Sequence, residues 1–399
     1  METQLRIAAD ENEMLKRENA SLRSLAQGGG ELAVPQEIIA HAEKEFSLRF
    51  LSSPVIHRIA SEELRDRIGA SIESRFGPAG IDDRQDSYML LGWLRADDDL
   101  LSQLTAIRSV GARGWFDDVS GEGWVTDRFD LENIPDQAAL VRLLVRILLH
   151  QNFPPAPAYP GDDAARAREA LHQGAASGSE ARFYAANARA IGFMPMTKSS
   201  DGEQLMATLS PFLQGLTTFP LIEGKGLADT LHVQGDEQFK AAFRSPPQTT
   251  RGILVPGSSA GAPQALDLPE TNEEPFLTES AGQLGLRLWM EPLGDVGAAM
   301  EIASAWKNDR YILFPDGESS SAILWDIELD DAEATDRLQS IALDLAAALA
   351  GHEDSAVLGE PLVSTRRRHL LVSRPSATRL RFLNTAESTT AEMLSKAKP

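Results

Sequence analysis

The sequence predicts an α+β fold, mostly helical with small β-hairpins, behind a short N-terminal coiled coil. Three observations predict it. Residues 136–153, "DQAALVRLLVRILLHQNF", form a strongly apolar run of helical length. Pairs of apolar runs close around Ser120-Gly121 and Asp316-Gly317, which is the punctuation of hairpins. The first 27 residues place apolar and small side chains at alternating three- and four-residue spacing, as a heptad seam does.

Taken in order, Leu5, Ala8, Asn12, Leu15, Asn19, Leu22 and Ala26 put Asn12 and Asn19 at a positions and Leu15 and Leu22 at d. Asparagine at a pairs across a parallel two-stranded seam and gives up stability for register. Residues 1–27 are therefore expected to form a homodimer through Leu5, Asn12, Leu15, Asn19 and Leu22; the other reading is a lone amphipathic helix, frayed in isolation. Gly28-Gly29-Gly30 then acts as a flexible joint, and residues 28–45 hold a linker and a first helix. A short strand, Val55 to Ile59, precedes a helix with Ser61 as N-cap and Leu64 near its start. A second helix is expected at about 86–109, with Trp93 and Leu94 on its apolar face. The hairpin of "ARGWFDDVSGEGWVTD", the long core helix, a Pro-rich loop from Pro154 to Pro160 and a helix interrupted near Gly174 follow. Residues 256–280 read as a loop. Beyond it, residues 281–385 form a C-terminal α+β part that packs on the first: a helix through Leu286 and Trp289, a hairpin at about 310–329, an amphipathic helix and a basic strand-like stretch. Residues 386–399 read as a flexible tail.

Composition narrows the function. The 38 basic against 59 acidic side chains leave a net charge of −21, which opposes broad attraction to nucleic acid or anionic lipid. With no cysteine, disulfides, thiolate metal sites and a cysteine nucleophile are excluded. No window approaches ~18 consecutive apolar residues, so the chain as given is expected to be soluble, touching a membrane only through an anchor outside it. Compartment stays open between the cytoplasm and an envelope-associated place.

Several short segments agree, in order, with one known pattern. "IASEELRDRI" and "GARGWFDDVSGEGWV" are followed by "HQNF" (His150 to Phe153) and "ALHQGAAS" (Ala170 to Ser177), then by "PFLQGLTTF", "FKAAFRSPPQTTRGILVPG" and "LGLRLWMEPLG". Over residues 46 to 326 the chain resembles a bacterial zinc-metallopeptidase family of the gluzincin type, in which an HExxH helix is followed by a helix bearing the third, glutamate ligand. The resemblance implies a metallopeptidase-like domain at 46–255. It also implies that the two histidine positions are Arg142 and Arg146, the catalytic glutamate position Leu143 and the third-ligand position Gln173. Such a site needs two imidazoles one turn apart, a carboxylate ligand and a glutamate base. Arginine offers no lone pair and leucine accepts no proton, so all four positions are degenerate and no metal or other cofactor is expected.

Rebuilding the site would fall to His150 and His172, whose other reading is two histidines near helix ends. Arg142 and Arg146 either pair with nearby carboxylates or hold a peptide carboxylate or anion in a remnant cleft, or else they reach the domain surface or close a buried ion pair, their stems covering apolar neighbours. The remaining motifs point away from chemistry. His352-Glu353 lacks a second histidine, Gly224-Lys225-Gly226 reads as a turn rather than a dinucleotide loop, and Ser258-Ser259 lies in a loop. Asp97-Asp98-Asp99 either binds a hard cation or caps a helix. Arg366, Arg367, Arg368 and Arg374, with Arg379 and Arg381, form either a solvated strand face or a docking edge for an acidic protein or peptide. Expected overall is a catalytically inactive binding or scaffold protein; the competing expectation is an active hydrolase with a rearranged site.

Overall fold

A run that is apolar on all sides has nowhere to go but the interior, and residues Ile134–Asn152 (α5) are the buried centre of the chain. In the computed structural model, which describes residues 30–397 except 78, 157, 188–199, 259–265, 272 and 294, Val141, Leu144, Val145 and Leu148 of α5 are fully buried. The predicted seam at Leu5, Asn12, Leu15, Asn19 and Leu22 lies outside the described residues. Ahead of α5 come helices α1 (Gln36–Phe46), α2 (Ser61–Phe76), α3 (Gly80–Leu90) and α4 (Leu100–Ser109). Strands β1 (Ile56–Ile59), β2 (Gly114–Phe116) and β3 (Gly123–Thr126) make a small sheet in the order β1-β3-β2, with β1 parallel to β3 and the β2-β3 hairpin antiparallel.

After α5, helix α6 (Asp162–Ala186) packs antiparallel-fashion beside it; α7 (Ser200–Thr208) and α8 (Pro211–Phe219) follow, and a π-helical turn Pro220–Gly224, α9 (Lys225–Gln234), α10 (Asp236–Arg244) and α11 (Arg251–Leu254) pack along α6. The remainder is a six-stranded sheet. Strands β4 (Leu277–Glu279), β5 (Trp306–Pro315), β6 (Ser321–Leu329), β7 (Leu362–Val363), β8 (His369–Ser376) and β9 (Arg379–Thr385) pair antiparallel in the order β4-β5-β6-β9-β8-β7. Helices α12 (Gly282–Met290), α13 (Val296–Ser304) and α14 (Ala332–Ala350) lie on one face of it, and α15 (Ser388–Lys396) covers the other, with Leu394 fully buried against a cluster that includes Ile312, Leu371 and Leu383.

The fold is α+β, and its two parts share one core. Trp93 stacks on Phe212 at 4.2 Å and meets Trp325 edge-on at 5.6 Å, while the Trp289 indole donates to the Leu91 carbonyl at 2.9 Å. Beneath them the buried carboxylate of Asp309 accepts from the indoles of Trp306 and Trp325, the Ser280 hydroxyl and the backbone N–H groups of Ala281 and Gly282. Five donors replace the water that burial removes, which is what lets an acid sit in a tryptophan-lined core.

Several expectations are corrected. The helix expected at 86–109 is two helices: Gly92 adopts φ +79°, and a Cβ there would lie 2.6 Å from Leu349, so the chain turns out and restarts at α4. Asp99 caps that restart, accepting from Ser102 N, so the aspartate run serves as a cap; Asp98 pairs instead with Arg95 at 2.8 Å. Ser61 is the first helical residue rather than the N-cap, and its hydroxyl donates to Asp127 at 3.3 Å. Helix α6 runs unbroken through Gly174, because a Cβ there would sit 2.2 Å from the Gly224 backbone and the glycine permits close approach. Gly224-Lys225-Gly226 is the passage from π-turn to α9, not a turn. Residues 277–279 are a strand within the supposed loop, the hairpin expected at 310–329 begins at Trp306, and the supposed flexible tail contains α15. Among the described residues no helix is long and apolar enough to cross a membrane.

Candidate functional site

Helices α2, α3, α4, α5 and α6 each carry an arginine to one cleft of about 470 Å³, the side chains being Arg75, Arg84, Arg108, Arg142 with Arg146, and Arg166. Three carboxylates line it with them: Asp118, Asp162 and Glu169. Its apolar wall comes from Leu104 and Ile107 of α4 and Leu213 and Leu216 of α8.

Arg142, Leu143, Arg146 and Gln173 all line it. Arg146, although on the most buried helix, forms a fork with Glu169: Nη1 and Nη2 each donate to one carboxylate oxygen at 2.9 Å. Nη2 also reaches Asp118 at 2.6 Å, and Nη1 donates to Gln173 Oε1 at 3.2 Å. Arg146 and Gln173 are thus within hydrogen-bond distance of each other. Burial opposes the guanidinium charge, but the facing Glu169 and Asp118 carboxylates overcome it and hold the Arg146 pKa above the ordinary arginine value. Glu169, raised by burial but lowered more by Arg146, is held well below the usual carboxylate range. Arg142 lies one turn away, half-buried, and pairs with Glu180 at 3.5 Å. Leu143 packs its methyls toward Gly114 and Gly123 of the hairpin strands. The sequence missed Glu169 and Asp118; Glu169 precedes Gln173 by one turn of α6, and that same-face spacing is the signal that would have found it.

The second half of the cleft is a buried network about Asp162. Arg84 donates to it from Nε at 3.0 Å and Nη2 at 2.7 Å, Tyr159 at 2.8 Å and Tyr88 at 3.0 Å, while Arg166 donates to the Tyr88 hydroxyl at 2.6 Å. Glu279 of β4 accepts from Arg84 at 2.7 Å and from the Asp162 backbone N–H. Burial pushes both carboxyls up; Arg166 and Arg84 bring Asp162 back below its ordinary value, whereas the nearby Asp162 charge keeps Glu279 raised.

No family model, curated protein or solved structure matches this chain.

Chemistry at the site is accordingly read from its own geometry. The donor set does not suit a zinc ion, since the positions facing one another carry guanidinium, amide and aliphatic groups, and among the described residues no three histidine, aspartate or glutamate side chains are grouped to hold a metal. His150 and His172 build no such group. The His150 ring lies edge-on to Phe116 at 5.5 Å, and burial lowers its pKa; His172 is sealed against Phe243 at 4.9 Å, and burial lowers its pKa much further. What the arrangement supplies is fixed positive charge, partly met by the carboxylates of Asp118, Asp162 and Glu169, beside an apolar wall.

The basic stretch near the C-terminus dissolves as a surface. Arg379 and Arg381 are buried and both hold Asp326 of β6, at 2.9 and 2.8 Å through their Nε atoms. Arg368 donates to Asn384 at 2.6 Å and to the Ser321 carbonyl at 2.7 Å, and Arg374 pairs with Asp336. Only Arg366 and Arg367 of the six are exposed, in the turn before β8. His352 bonds the Val363 carbonyl at 2.9 Å in a loop beyond α14, and Ser258 lies in the turn after α11, with Ser259 outside the described residues.

Proposed function

We propose that the chain is a peptidase-like binding protein that does not hydrolyse peptides, dimerised through its N-terminal heptads and using the arginine-lined cleft to hold a ligand or a partner's peptide. One observation carries it. Where a gluzincin-like helix pair would hold zinc, Arg146 bridges Glu169, Asp118 and Gln173, and its side chain is 5% exposed. A cation bound there by two carboxylates occupies the place of the metal, and a divalent ion brought against it would meet repulsion without imidazole or thiolate compensation. Leu143, in the position of the base, offers no proton acceptor. The dimer rests on the asparagine-containing seam of residues 5–22 alone.

The test is metal content and turnover of the purified full chain. The expected result is no stoichiometric zinc after dialysis and no cleavage of a mixed peptide library with or without added zinc. Zinc that survives dialysis and leaves on replacement of His150 or His172, accompanied by cleavage, would establish the rearranged hydrolase instead. Light scattering addresses the dimer: the full chain is expected at twice its mass, and Leu15→Lys with Leu22→Lys at the monomer mass.

A further inference from the structure

The cleft holds more positive charge than its own acids satisfy, in a protein whose net charge is −21. Arg84, Arg142, Arg146 and Arg166 each have a carboxylate within 3.5 Å, but Arg75 reaches no nearer than 4.0 Å to Asp118, which Arg146 already engages at 2.6 Å. Arg108, at the last turn of α4, is half-buried and makes no hydrogen bond or ion pair with any described residue, and burial first and Arg75 second depress its pKa against the raising pull of Glu169 and Asp118. Two further guanidinium nitrogens in the same cleft, Arg146 Nε and Arg166 Nη1, are buried without a partner among the described residues. Desolvated donors left unpaired are costly, and they are retained where something else pairs with them.

From this we propose that the cleft binds a small amphiphilic oxyanion, a carboxylate or phosphate borne on an apolar body. The oxyanion sits against Arg108 and Arg75, within reach of the Arg146 edge, and the apolar body lies on Leu104, Ile107, Leu213 and Leu216. The inference rests on reading the cleft as a binding site and adds the chemical class of what it takes. Cavity size agrees: about 470 Å³ encloses a small-molecule ligand and is too small for a folded partner. Arginine rather than lysine suits the task, because a planar guanidinium keeps its charge when buried and offers paired donors to a planar carboxylate or a phosphate.

Calorimetric titration of the full chain with octanoate, octyl phosphate, octanol and inorganic phosphate tests it. Octanoate or octyl phosphate is expected to bind, with octanol and inorganic phosphate at least about tenfold weaker, because each lacks one half of the recognised chemistry. The ratio of the two amphiphiles tells whether carboxylate or phosphate is preferred. Arg108→Gln is expected to weaken the better probe by about tenfold or more, while Arg366→Gln, which removes the same charge from the exposed turn before β8, leaves it unchanged. Arg108→Gln should leave resistance to urea in the absence of probe nearly unchanged, since the half-buried Arg108 has no partner to lose. Should that variant fail to fold, Arg75→Gln, whose side chain is 23% exposed, takes its place. Binding of no probe at millimolar concentration, octanol binding as well as octanoate, or equal affinity in wild type and the arginine variant would overturn the proposal. Peptide cleavage by wild type would overturn the non-hydrolytic reading and leave the oxyanion result standing, so the two failures are told apart.

Discussion

Replacing Arg146 by methionine removes the guanidinium while retaining a stem of similar shape, and the cost can be worked from its partners. The side chain is 5% exposed and makes four charge-assisted contacts, to both oxygens of Glu169, to Asp118 and to Gln173. Breaking a fully buried pair by removing one partner costs about 3–5 kcal/mol. Here Glu169 and Asp118 are each 30% exposed, so water recovers part of their solvation and the expected cost falls to about 2–3 kcal/mol. Urea unfolding of wild type, Arg146→Met, Glu169→Gln and the double variant closes a cycle with an expected coupling of about 1.5–2 kcal/mol. The sign with pH follows from Glu169, whose folded pKa is held below its ordinary value of 4.5. Its stabilisation is present above the unfolded pKa and is lost as pH falls toward the folded one, so the penalty of Arg146→Met should be largest near neutrality and shrink below about pH 4. A coupling under about 0.5 kcal/mol, or a penalty that grows on acidification, would refute the ion-paired role of Arg146.

Three other outcomes are expected. Asp163 is pushed up to about 7 by burial, which outweighs the Thr250 hydroxyl and N–H it accepts, and its second oxygen has no partner among the described residues. The folded state therefore holds a proton that the unfolded state has released, and wild-type stability should fall by up to about 4 kcal/mol between about pH 4 and 7 through this group; the difference between Asp163→Asn and wild type in urea should trace that slope and vanish at the acid end. Gly174→Ala, placing a methyl 2.2 Å from the Gly224 backbone, should cost about 3 kcal/mol or more, whereas Gly226→Ala, with no neighbour within 4 Å, should be neutral or stabilise by up to about 1 kcal/mol; thermal unfolding compares them. Arg142→His with Leu143→Glu should gain no peptidase activity with added zinc, since Arg146 still bridges its carboxylates and Gln173 still replaces the third ligand; cleavage by that variant would show that the helix register is misassigned.

How much of this was legible follows from how far apart the deciding residues lie. Helix α5 and both hairpins were readable because their patterns are local and strong. Reading failed where a single residue serves a distant neighbour. Gly92 and Gly174 look alike in sequence, yet one ends a helix with φ +79° and the other sits inside a helix because Gly224, fifty residues on, must come close. The basic stretch failed for the same reason: Arg379 and Arg381 share one strand face, but the acid that neutralises both, Asp326, is on the neighbouring strand β6. Counting charges along a chain says nothing about which are paired, because pairing is set by tertiary contact. Arg108 is the sharpest case. At the end of α4 it reads as an ordinary cation beside a helix C-terminus. Only the convergence of α2, α4 and α5 places it beside Arg75 and Arg146 without an acceptor of its own, and that unmet charge is the ground on which the oxyanion is proposed.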